Sequence, residues 1–552
     1  MNWAKEYLKA IQDGSEVVSA KVRMVYEREC AWMDDDEFGF VFDAEAGQRP
    51  IDFIEKFCRH YEGEWAGRKI ELELFQKAKI QLAYGWKEKD TGFRRFREVI
   101  DIRGRKCGKS TETAAVELYA LIADGEGGAQ VCCTANKLDQ AKIIFNAAVA
   151  MRQQSPALAS ITKKRQSDIY FPATFSKLVA LAADTKTMDG LNAHFFSLDE
   201  WHEARTRKVY DVMKQSQSAR RQPLAWLITT NGFIREAFFD DRYDYASKVA
   251  TWEHEDYRVL PLIYELDSRD EWDKPDCWAK ANPGLGSIKN IKSLEQWVED
   301  AKRDPTALPT LLTKDFNIPE NSNAAWLPYD DCVNETVVPM DYLKKSYAIG
   351  GCDLSATTDL TCATLIIKKP EDEHLYVLQK YFLPESRVDA VETNSAREAP
   401  YKKWSEQGWL HICDGATVDY KAVTQWFVEM VKEHDIRPLW IGYDRALAGY
   451  WVEEMEEYGF EMERIAQGSY TWSYPMKRLG GLLEDKKIIY QNNPMLRWCL
   501  LNTGVKTTNR DGIQSIQPVK TSATKRIDGM VSLLNAFVSY VNHEDDFTNY
   551  LR

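Results

Sequence analysis

The sequence predicts an α/β protein with two main structured regions, and three observations support this. At 552 residues, the chain is long enough for two to four domains with sizeable hydrophobic cores. Between residues 66 and 255, short β-branched apolar segments alternate with segments of helical periodicity, which indicates a parallel sheet covered by helices. A second periodic region begins near Tyr347, and its three successive strand-like segments favour an antiparallel meander.

Four segments are predicted along the chain. They are a helical lead-in over residues 1–65, an α/β core over 66–255, a helical subdomain with a linker over 256–340, and a second α/β domain over 341–552. The Pro- and Gly-rich stretch 281–286 marks a loop in the third segment, and 317–323 is expected to be an extended linker.

Composition places the chain among ordinary globular proteins, with 44% hydrophobic and 28% charged residues. No apolar run is long enough to span a membrane, and the polar N-terminal segment predicts no signal peptide. The eleven cysteines form no CxxC pair, which favours reduced thiols in a cytosol over disulfides or a zinc site. A net charge of −13 argues against a general nucleic-acid coat, but it is compatible with an enzyme that acts on DNA.

The most informative motif is a basic, glycine-containing loop between a predicted strand and a predicted helix. Residues 97–102 have the β-branched character of a buried strand, and apolar residues from Ala114 onwards repeat at helical spacing. A loop in this position directs backbone N–H groups and a helix N-terminus at one point, which is how proteins hold phosphates. We therefore expect Lys109 to pair with the β- and γ-phosphates of a nucleotide and Ser110 to bind Mg²⁺. An ordinary basic turn before a helix is the alternative.

The loop departs from the usual spacing, because Arg103 stands where a first glycine is expected. Two further cations, Arg105 and Lys106, lie within the loop. Upstream, the amide of Gln76 is a candidate for the edge of an adenine, since an amide can donate and accept together. The candidate nucleotide ligands are Gln76, Gly104, Arg105, Lys106, Gly108, Lys109, Ser110, Thr111 and Asp199.

A second motif completes this predicted nucleotide site. Residues 195–198 form an apolar run that ends in Asp199 and Glu200, as expected where a strand presents carboxylates at the edge of a sheet. Asp199 is predicted to hold Mg²⁺, and Glu200 to act as the base for the attacking water. An edge strand followed by a solvated acidic turn is the alternative. A further predicted strand, 224–228, ends in Thr-Thr-Asn-Gly, whose polar groups are candidates for sensing the γ-phosphate.

The second half carries three carboxylates at the ends of predicted elements. Asp353 ends a strand of small residues, Asp444 follows another strand, and Asp528 stands at the start of an apolar-periodic helix. A two-metal phosphodiester hydrolase needs such a set of carboxylates, and Asp353 is predicted to bridge the two metals. Because all three ligands are oxygens, the expected metals are Mg²⁺ or Mn²⁺. The alternative is that each aspartate is an ordinary cap or turn residue. Asp528 in particular would then be only a negative charge at the N-terminus of a helix, where it interacts favourably with the helix dipole. Asp359 and Asp414 are the alternatives to Asp444.

A predicted hairpin lies between the last two of these carboxylates. The Asp-Gly pair at 511–512, between two polar strands, is a hairpin signal. Basic side chains on and after the hairpin are candidates for neutralising DNA phosphates, and ordinary solubilising charge is the alternative. These residues are Lys506, Arg510, Lys520, Lys525 and Arg526. The basic stretch 163–165 in the first half is expected to be a solvated loop.

Together these motifs resemble those of the large terminase subunit of tailed bacteriophages over nearly the whole chain. The resemblance is carried, in order, by GRKCGKS, SLDE followed by Trp201-His202, ITTNG, ANPGLG, CDLSATTDLT and KRIDGM. It implies an α/β fold in which a P-loop ATPase domain of the additional-strand type precedes an RNase H-like nuclease domain. It also implies that Arg105 helps to trigger hydrolysis and that Asp359 matches an acidic position of the family.

The resemblance further implies a function. The first half would use ATP and Mg²⁺ to translocate double-stranded DNA into a procapsid, and the second half would cut concatemeric phage DNA with a metal-dependent endonuclease. The implied partners are double-stranded DNA, a portal protein and a small terminase subunit, with a homo-oligomeric ring on the procapsid, no membrane, and a location in the host cytoplasm.

Two other classes remain open from the residues alone. A cellular DNA helicase or repair ATPase with a fused nuclease would need a second motor domain, and the second half carries no further phosphate loop. A non-enzymatic assembly protein would tolerate a decayed site, whereas Lys109, Glu200 and the three aspartates are intact.

Overall fold

The computed structural model describes residues 1–181, 190–204, 206–234, 237–304, 307–320, 325–355, 359–393, 399–444, 449–510, 513–521 and 525–551, without the side chains of 390–393, 509, 510 and 513. The chain divides into two compact units, Met1–Pro319 and Glu320–Arg552. The division therefore falls inside the segment outlined at 256–340.

Helices and strands alternate along the first unit. Its helices are α1 (Trp3–Asp13), α2 (Ala20–Trp32), α3 (Ala44–Phe57), α4 (Leu74–Gly85), α5 (Lys109–Ile122), α6 (Leu138–Gln154), α7 (Pro156–Ile161), α8 (Lys208–Ser216), α9 (Phe238–Thr251), α10 (Ile291–Arg303) and α11 (Leu308–Asp315). Its strands are β1 (Phe40–Phe42), β2 (Trp86–Glu88), β3 (Glu98–Ile102), β4 (Gln130–Ala135), β5 (Lys163–Lys164), β6 (Asp168–Phe171), β7 (Ser176–Leu181), β8 (Ala193–Asp199), β9 (Leu224–Thr229) and β10 (Val259–Ile263).

Eight described strands of this unit form one sheet in the order β10-β3-β9-β8-β4-β7-β6-β5. The strands from β10 to β7 are parallel, and β6 and β5 extend the edge in antiparallel pairs. Every residue of β3, β8 and β9 is buried, as expected for parallel strands covered on both faces. Since β9 lies between β3, which leads into the phosphate loop, and β8, which ends at Asp199, this half has the additional-strand arrangement.

The N-terminal helices share the hydrophobic core of this sheet. Tyr7 of α1 and Tyr26 of α2 are fully buried, with ring centroids 4.8 Å apart. The Ser19 hydroxyl donates to the carbonyl of Ile263 in β10 at 2.6 Å. The helices of the lead-in therefore pack on the sheet as part of the same unit.

After β10 the chain forms a small helical subdomain around buried apolar side chains, among them Trp278, Leu294, Leu312 and Phe316. The expected linker begins inside this unit. Asn317 has a left-handed φ of 56°, its amide oxygen accepts from the backbone N–H of Asn231 at 2.9 Å, and its amide NH₂ donates to the carbonyl of Tyr264 at 2.6 Å. The start of the linker is thus buried and irregular, because these side-chain bonds attach it to the core, and 321–324 lie outside the described residues.

The second unit has its own set of elements. Its helices are α12 (Tyr329–Cys332), α13 (Met340–Leu343), α14 (Glu385–Thr393), α15 (Tyr401–Glu406), α16 (Tyr420–His434), α17 (Gly449–Glu457), α18 (Ser469–Glu484), α19 (Pro494–Leu501), α20 (Asp528–Asn542) and α21 (Glu544–Leu551). Its strands are β11 (Ser346–Asp353), β12 (Thr361–Lys368), β13 (Leu375–Pro384), β14 (Leu410–Cys413), β15 (Ile436–Tyr443), β16 (Met462–Arg464), β17 (Ile488–Ile489), β18 (Thr503–Arg510) and β19 (Ile513–Lys520).

The main sheet of this unit has the order β14-β13-β12-β11-β15-β16, and β17 pairs with β13. The strands β11, β12 and β13 form the predicted antiparallel meander, and β15 joins β11 in parallel. Helix α20 crosses this sheet at close range, since a Cβ at Gly351 would lie 2.4 Å from the carbonyl oxygen of Ser532. A meander joined by a parallel strand and crossed by a helix is the RNase H-like arrangement.

A hairpin, the cysteines and the helix lengths complete the description. Strands β18 and β19 pair as a separate antiparallel hairpin, and its Asp-Gly turn at 511–512 lies outside the described residues. All eleven cysteines are free thiols, and Cys277 is the partly exposed one among them. Within the described ranges, no helix combines the length and the apolar character that crossing a bilayer requires.

Candidate active sites

The phosphate loop connects β3 to the N-terminus of α5. Lys106 and Gly108 have left-handed φ values of 64° and 76°, which turn the chain sharply before the helix begins at Lys109. The Lys109 side chain is buried inside the loop, where its ammonium donates to the carbonyls of Arg103 at 2.7 Å and Gly104 at 2.9 Å. The ammonium and the first N–H groups of α5 therefore lie at one place, which suits a phosphate.

Residues from the helical subdomain support the outer side of this loop. The backbone N–H of Gly104 donates to the carbonyl of Ala281, and that of Arg105 donates to the carbonyl of Lys314, both at 2.8 Å. A Cβ at Gly104 would lie 2.3 Å from the side-chain oxygen of Asn282, so this close approach requires glycine. The ANPGLG stretch and the end of α11 thus form the wall against which the loop is held.

A buried cluster of four charged side chains lies behind the loop, and the sequence analysis missed it. Arg103, at the position of the expected glycine, is fully buried. Its guanidinium pairs with Asp101 at 2.9 Å and with Glu112 at 2.6 Å, and the Lys79 ammonium pairs with the same two carboxylates. Burial alone would raise the pKa of Asp101, but the two cations outweigh it and hold this pKa below its usual value. The cluster is neutral overall and joins β3 to α4 and α5.

Gln76 borders a cavity at the entrance to the loop. The cavity has a volume of about 250 Å³, and Gly108 and Thr111 also line it. The Gln76 amide donates to Glu112 and accepts from the backbone N–H of Glu73, both at 3.0 Å. The role of Gln76 at an adenine edge stays a prediction, since the residue borders a suitable space while its amide is bonded within the protein.

Asp199 and Glu200 stand at the end of β8. Asp199 is buried, and one of its carboxylate oxygens accepts from the backbone N–H of Glu200 at 2.9 Å. Burial and the neighbouring Glu200 carboxylate raise the pKa of Asp199 to about 7, while the Lys109 ammonium acts in the opposite direction. Glu200 has a left-handed φ of 49°, and its carbonyl accepts from the Asn136 amide at 3.0 Å. The structure therefore brings Lys109 and both acidic residues together.

His202 and Lys314 connect these residues to the end of β9, and the sequence analysis assigned a role to neither. His202 is buried, with Nδ1 2.7 Å from the Thr229 hydroxyl and 3.0 Å from a carboxylate oxygen of Glu200. Its Nε2 lies 2.5 Å from the Lys314 ammonium, which also donates to the carbonyl of Asn231 at 3.2 Å. Burial lowers the pKa of Lys314 to about 8, an effect that the Glu200 carboxylate partly offsets.

The remaining side chains of the loop are more accessible. Arg105 and Lys106 are exposed, and Ser110 and Thr111 are partly exposed. The Arg105 guanidinium is therefore accessible to an anionic ligand that binds from solvent.

The second site lies at the end of two neighbouring strands of the second sheet. Asp353 ends β11 and Asp444 follows β15, and these strands pair in parallel, so both carboxylates leave the sheet at the same edge. Asp528 is the first residue of α20. Burial raises the pKa of Asp353 well above its usual value, and the carboxylates of Asp528, Asp444 and Asp359 raise it further. The carboxylates of Asp444 and Asp528 therefore lie within electrostatic range of Asp353.

This set of donors fits a divalent cation. Asp528 is 6% exposed, and its Oδ2 accepts no hydrogen bond from the described residues. Burial, together with Asp359, raises the pKa of Asp528 to about 7. Crowded carboxylate oxygens, one of them buried without a partner in the described structure, are the ligands that hard cations such as Mg²⁺ and Mn²⁺ prefer.

Asp359 and Asp414, the two alternatives to Asp444, have different surroundings. Asp359 pairs with Arg526 at 2.5 Å and with Lys520 at 3.2 Å, so two cations compensate its charge beside the cluster. Asp414 is exposed and follows β14, which β13 and β12 separate from β11. Asp359 is therefore a neighbour of the cluster, and Asp414 lies apart from it.

Four side chains form a polar ladder that holds the start of α20, and sequence reasoning did not find it. The Tyr381 hydroxyl donates to Gln379 at 2.6 Å, and the Gln379 amide donates to the carbonyl of Gly529 at 2.8 Å and to the Thr364 hydroxyl at 2.9 Å. Thr364 in turn shares a hydrogen bond of 2.6 Å with Ser532. A Cβ at Gly529 would lie 2.1 Å from the Tyr381 hydroxyl, so glycine permits this contact next to Asp528.

The basic residues singled out from sequence lie in unlike environments. Lys520 and Arg526 pair with Asp359, and Lys506 on β18 is exposed, whereas the side chain of Arg510 lies outside the described part of the chain. The stretch 163–165 is exposed as expected of a solvated loop, but the expected loop conformation is wrong for its first two residues. Its two lysines form the edge strand β5, because they pair with β6, although both remain exposed.

Comparison with known families bears directly on these two sites. The profile described as the terminase large subunit, ATPase domain, matches residues 74–248, and that of the terminase large subunit, endonuclease domain, matches residues 253–544. The chain belongs to the terminase large subunit family. The predicted family is thereby confirmed, and so is the predicted fold class of a P-loop ATPase domain followed by an RNase H-like nuclease domain.

Relatives of this terminase large subunit cover most of the chain. The terminase large subunit of Enterobacteria phage HK97 is 28% identical over 501 residues, which is 88% of this chain and 94% of the relative. Protein YmfN of Escherichia coli strain K12 is 27% identical over 370 residues, which is 65% of this chain and 80% of the relative. The crystal structure of the HK97 bacteriophage large terminase covers 89% of this chain and 99% of its own, with 25% identity and a TM-score of 0.47.

Family membership decides the class of activity. As a terminase large subunit, the protein hydrolyses ATP, cuts DNA as an endonuclease, and acts in phage DNA packaging and concatemer cutting. Use of a nucleotide and of a divalent metal follows from the two domains. The predicted function is thereby confirmed.

Proposed function

We propose that the first unit is an ATP-driven motor that moves double-stranded DNA into a procapsid. We further propose that the second unit cuts this DNA in an active site formed by Asp353, Asp444 and Asp528, which would bind Mg²⁺ or Mn²⁺. One observation supports the cutting site: Asp444 and Asp528, both distant in sequence from Asp353, lie within electrostatic range of it at the ends of β15 and β11 and the start of α20. The motor site is proposed at the loop before α5 on similar grounds, because Lys109, Asp199 and Glu200 influence one another electrostatically there.

In the ATP site, each residue has a distinct task. Lys109 pairs with the β- and γ-phosphates, and the backbone of the loop, from Gly104 through Lys106 to Gly108, surrounds them. Ser110 and Asp199 would hold Mg²⁺, which supplies positive charge to the phosphate oxygens when bound. Thr111 and Gln76 line the cavity that would receive the rest of the nucleotide.

Hydrolysis itself depends on Glu200. Its carboxylate takes a proton from the water that attacks the γ-phosphorus, while the bond from this phosphorus to the bridging oxygen breaks and leaves ADP and phosphate. The partial exposure of the Glu200 side chain, 35%, supports this role, because a water molecule can reach it. The exposed guanidinium of Arg105 would stabilise the charge that develops on the γ-phosphate.

In the nuclease site, the protein supplies ligands and phosphate-binding charge. Asp353, Asp444 and Asp528 would hold the cations, which would supply positive charge to the phosphodiester oxygens when bound. The ladder from Tyr381 to Ser532 keeps the start of α20, and so Asp528, against the sheet. The hairpin β18–β19, with exposed Lys506, offers a cation to the DNA backbone.

The proposed partners follow from the family. They are a portal protein, a small terminase subunit, and further copies of this chain in a ring on the procapsid, within the host cytoplasm. Family membership supports these assignments, and each is a specific form of the packaging role stated above.

Three variants of the full-length protein test the division of labour. Lys109→Ala and Glu200→Gln are expected to lose ATP turnover by about a thousandfold or more, because each removes several kcal/mol of transition-state stabilisation. Both should still cut plasmid DNA in the presence of Mg²⁺. Asp353→Asn should show the reverse, with cutting lost and ATP turnover retained.

Both activities are measured on the same preparations, together with the melting temperature. Near-parental ATP turnover in Lys109→Ala or Glu200→Gln would remove the assignment of the motor site. Loss of both activities in one variant with an unchanged melting temperature would contradict the separation into two sites.

A further inference from the structure

The side chain of His202 connects Glu200 to Lys314. Its Nε2 lies 2.5 Å from the Lys314 ammonium, which can only donate, so Nε2 accepts and carries no proton. The ring proton is therefore on Nδ1, which lies 3.0 Å from a carboxylate oxygen of Glu200 and 2.7 Å from the Thr229 hydroxyl. A neutral imidazole in this tautomer donates its ring proton to the Thr229 hydroxyl, whose own proton goes to the carbonyl of Thr230, and the same nitrogen lies 3.0 Å from the carboxylate proposed as the base.

The imidazole ring has little freedom to turn away from this arrangement. His202 is 2% exposed, and a Cβ at Gly232 would lie 2.5 Å from its Cδ2. The glycine of the Thr-Thr-Asn-Gly stretch therefore leaves the space that the ring occupies. The backbone N–H of His202 also points at the Thr229 hydroxyl, at 3.4 Å, so the end of β9 holds the residue in one orientation.

Lys314 lies near the end of α11 and contacts both halves of the ATP site. Its backbone carbonyl accepts from the loop N–H of Arg105 at 2.8 Å, and its ammonium donates to His202 and to the carbonyl of Asn231. One residue thus touches the phosphate loop through its backbone and the partner of the base through its side chain. A displacement of α11 would move both contacts together.

We infer that His202 and Lys314 are positioning residues for ATP hydrolysis: Lys314 holds the imidazole, and the imidazole holds the Glu200 carboxylate where it takes the proton of the attacking water. This inference rests on the proposed function of Glu200. Neither residue touches the reacting atoms. Because Lys314 belongs to α11, the orientation of the base depends on the position of this helix against the loop, which ties ATP turnover to the helical subdomain.

Steady-state ATPase kinetics of the full-length protein test the inference. Lys314→Met keeps the apolar stem and removes the ammonium, and His202→Gln removes the ring. Each is expected to lower kcat by about tenfold to a hundredfold, since small displacements of a catalytic group cost factors of this size. The KM for ATP and the affinity for a fluorescent ADP analogue should stay within about twofold of the parental values, because nucleotide contacts are kept. Lys314→Arg should recover part of kcat.

Lys280→Met is the matched control. This lysine belongs to the same unit and is partly buried in ion pairs with Asp267 at 2.8 Å and Glu271 at 2.6 Å, neither of which is a residue of the ATP site. Its kcat should equal the parental value. A fall in Lys280→Met as large as that in Lys314→Met would show that loss of any paired lysine is sufficient, and would overturn the inference.

A double-mutant comparison separates positioning from general damage. In the Glu200→Gln background, Lys314→Met should cause no further loss of the residual single-turnover rate, because both substitutions act through the same carboxylate. Additive losses, a parental kcat in Lys314→Met or His202→Gln, or a loss confined to ADP affinity would each overturn the inference. Near-parental turnover in Glu200→Gln alone would instead overturn the proposed function.

Discussion

The ATP site and the nuclease site both use carboxylates at strand ends, but they balance charge in different ways. Behind the phosphate loop, two buried carboxylates are matched by two buried cations, and the Lys109 ammonium opposes the charge of Asp199. In the nuclease site, Asp353 and Asp528 lie close to further carboxylates, and the pKa of each is raised. The nearby cations Lys520 and Arg526 pair with Asp359.

The difference indicates what each site needs from outside the chain. In the ATP site, the charged side chains behind the phosphate loop all come from the protein itself. Because each buried charge has a partner of opposite sign, the free-energy cost of burying them is reduced. The nuclease site has surplus negative charge around one buried carboxylate, Asp528, so a proton or a divalent cation must compensate it. The nuclease site should therefore respond to metal in its stability as well as in its activity.

The largest expected effect tests which carboxylates make up the nuclease site. Asp444→Asn keeps the size of the side chain and removes one negative charge from the proposed metal ligands. DNA cutting should fall by about a thousandfold, while ATP turnover persists, because removing a ligand weakens the charge stabilisation that the metals supply. The measurement is the initial rate of plasmid cutting at a fixed Mg²⁺ concentration.

Asp414→Asn is the control, since Asp414 is exposed and separated from β11 by two strands. It should cut DNA at the parental rate. If Asp444→Asn also cuts at that rate, the third ligand lies elsewhere, and Asp359→Asn would be examined next.

A smaller effect is expected from the exposed cation of the ATP site. If Arg105 stabilises charge in the transition state, Arg105→Ala should lower kcat for ATP by about a hundredfold and change nucleotide affinity much less. Arg207→Ala removes another exposed arginine of the same unit, one that pairs with Asp211 at 2.9 Å in the helix that follows it, and should leave both quantities unchanged. Loss of affinity with intact turnover would make Arg105 a simple phosphate anchor.

The smallest effect concerns stability against pH. The pKa of Asp528 is about 7 in the folded protein, against 3.8 ordinarily, so the folded state keeps a proton that the unfolded chain has released between these values. The free energy of unfolding should therefore fall as pH rises from about 4 through about 7 when no metal is present. Mg²⁺ should raise the melting temperature by more at about pH 8 than near pH 5, because the cation replaces the missing proton.

Asp528→Asn supplies the comparison for this last prediction. The variant carries no titrating carboxyl at 528, so both the pH slope and the Mg²⁺ effect on its melting temperature should be smaller. Equal slopes in the parental protein and the variant, measured by calorimetry in a chelator, would show that the surplus charge has no thermodynamic consequence.

Much of the fold follows from local patterns. The buried strands β3, β8 and β9 are short apolar runs, and the turn into α5 depends on a left-handed glycine, Gly108, so both are visible within a few neighbouring residues. The meander and the helix after Asp528 are visible in the same way. Their signals are strong because strand alternation, helical periodicity and turn residues act over short stretches of chain.

The functional details that were missed depend on partners that only the fold brings into contact. Arg103 was recognised as a departure from the glycine pattern, but its role requires Lys79, Asp101 and Glu112 around it. His202 follows the acidic motif directly, yet its partner Lys314 is 112 residues away. The sequence gives the type of a charged or polar residue, but it does not say which other residue will form its hydrogen bond or ion pair.

By itself, the sequence determined the family and the order of the two domains. It also predicted the residues for phosphate and metal chemistry, because such motifs depend on residue types at short spacings. Only the tertiary structure decided how the charges are shared. It pairs Asp359 with Lys520, 161 residues later, and leaves Asp353 facing Asp528 and Asp444. The physical reason is that electrostatic energy depends on distance in space and on burial, and neither is set by separation along the chain.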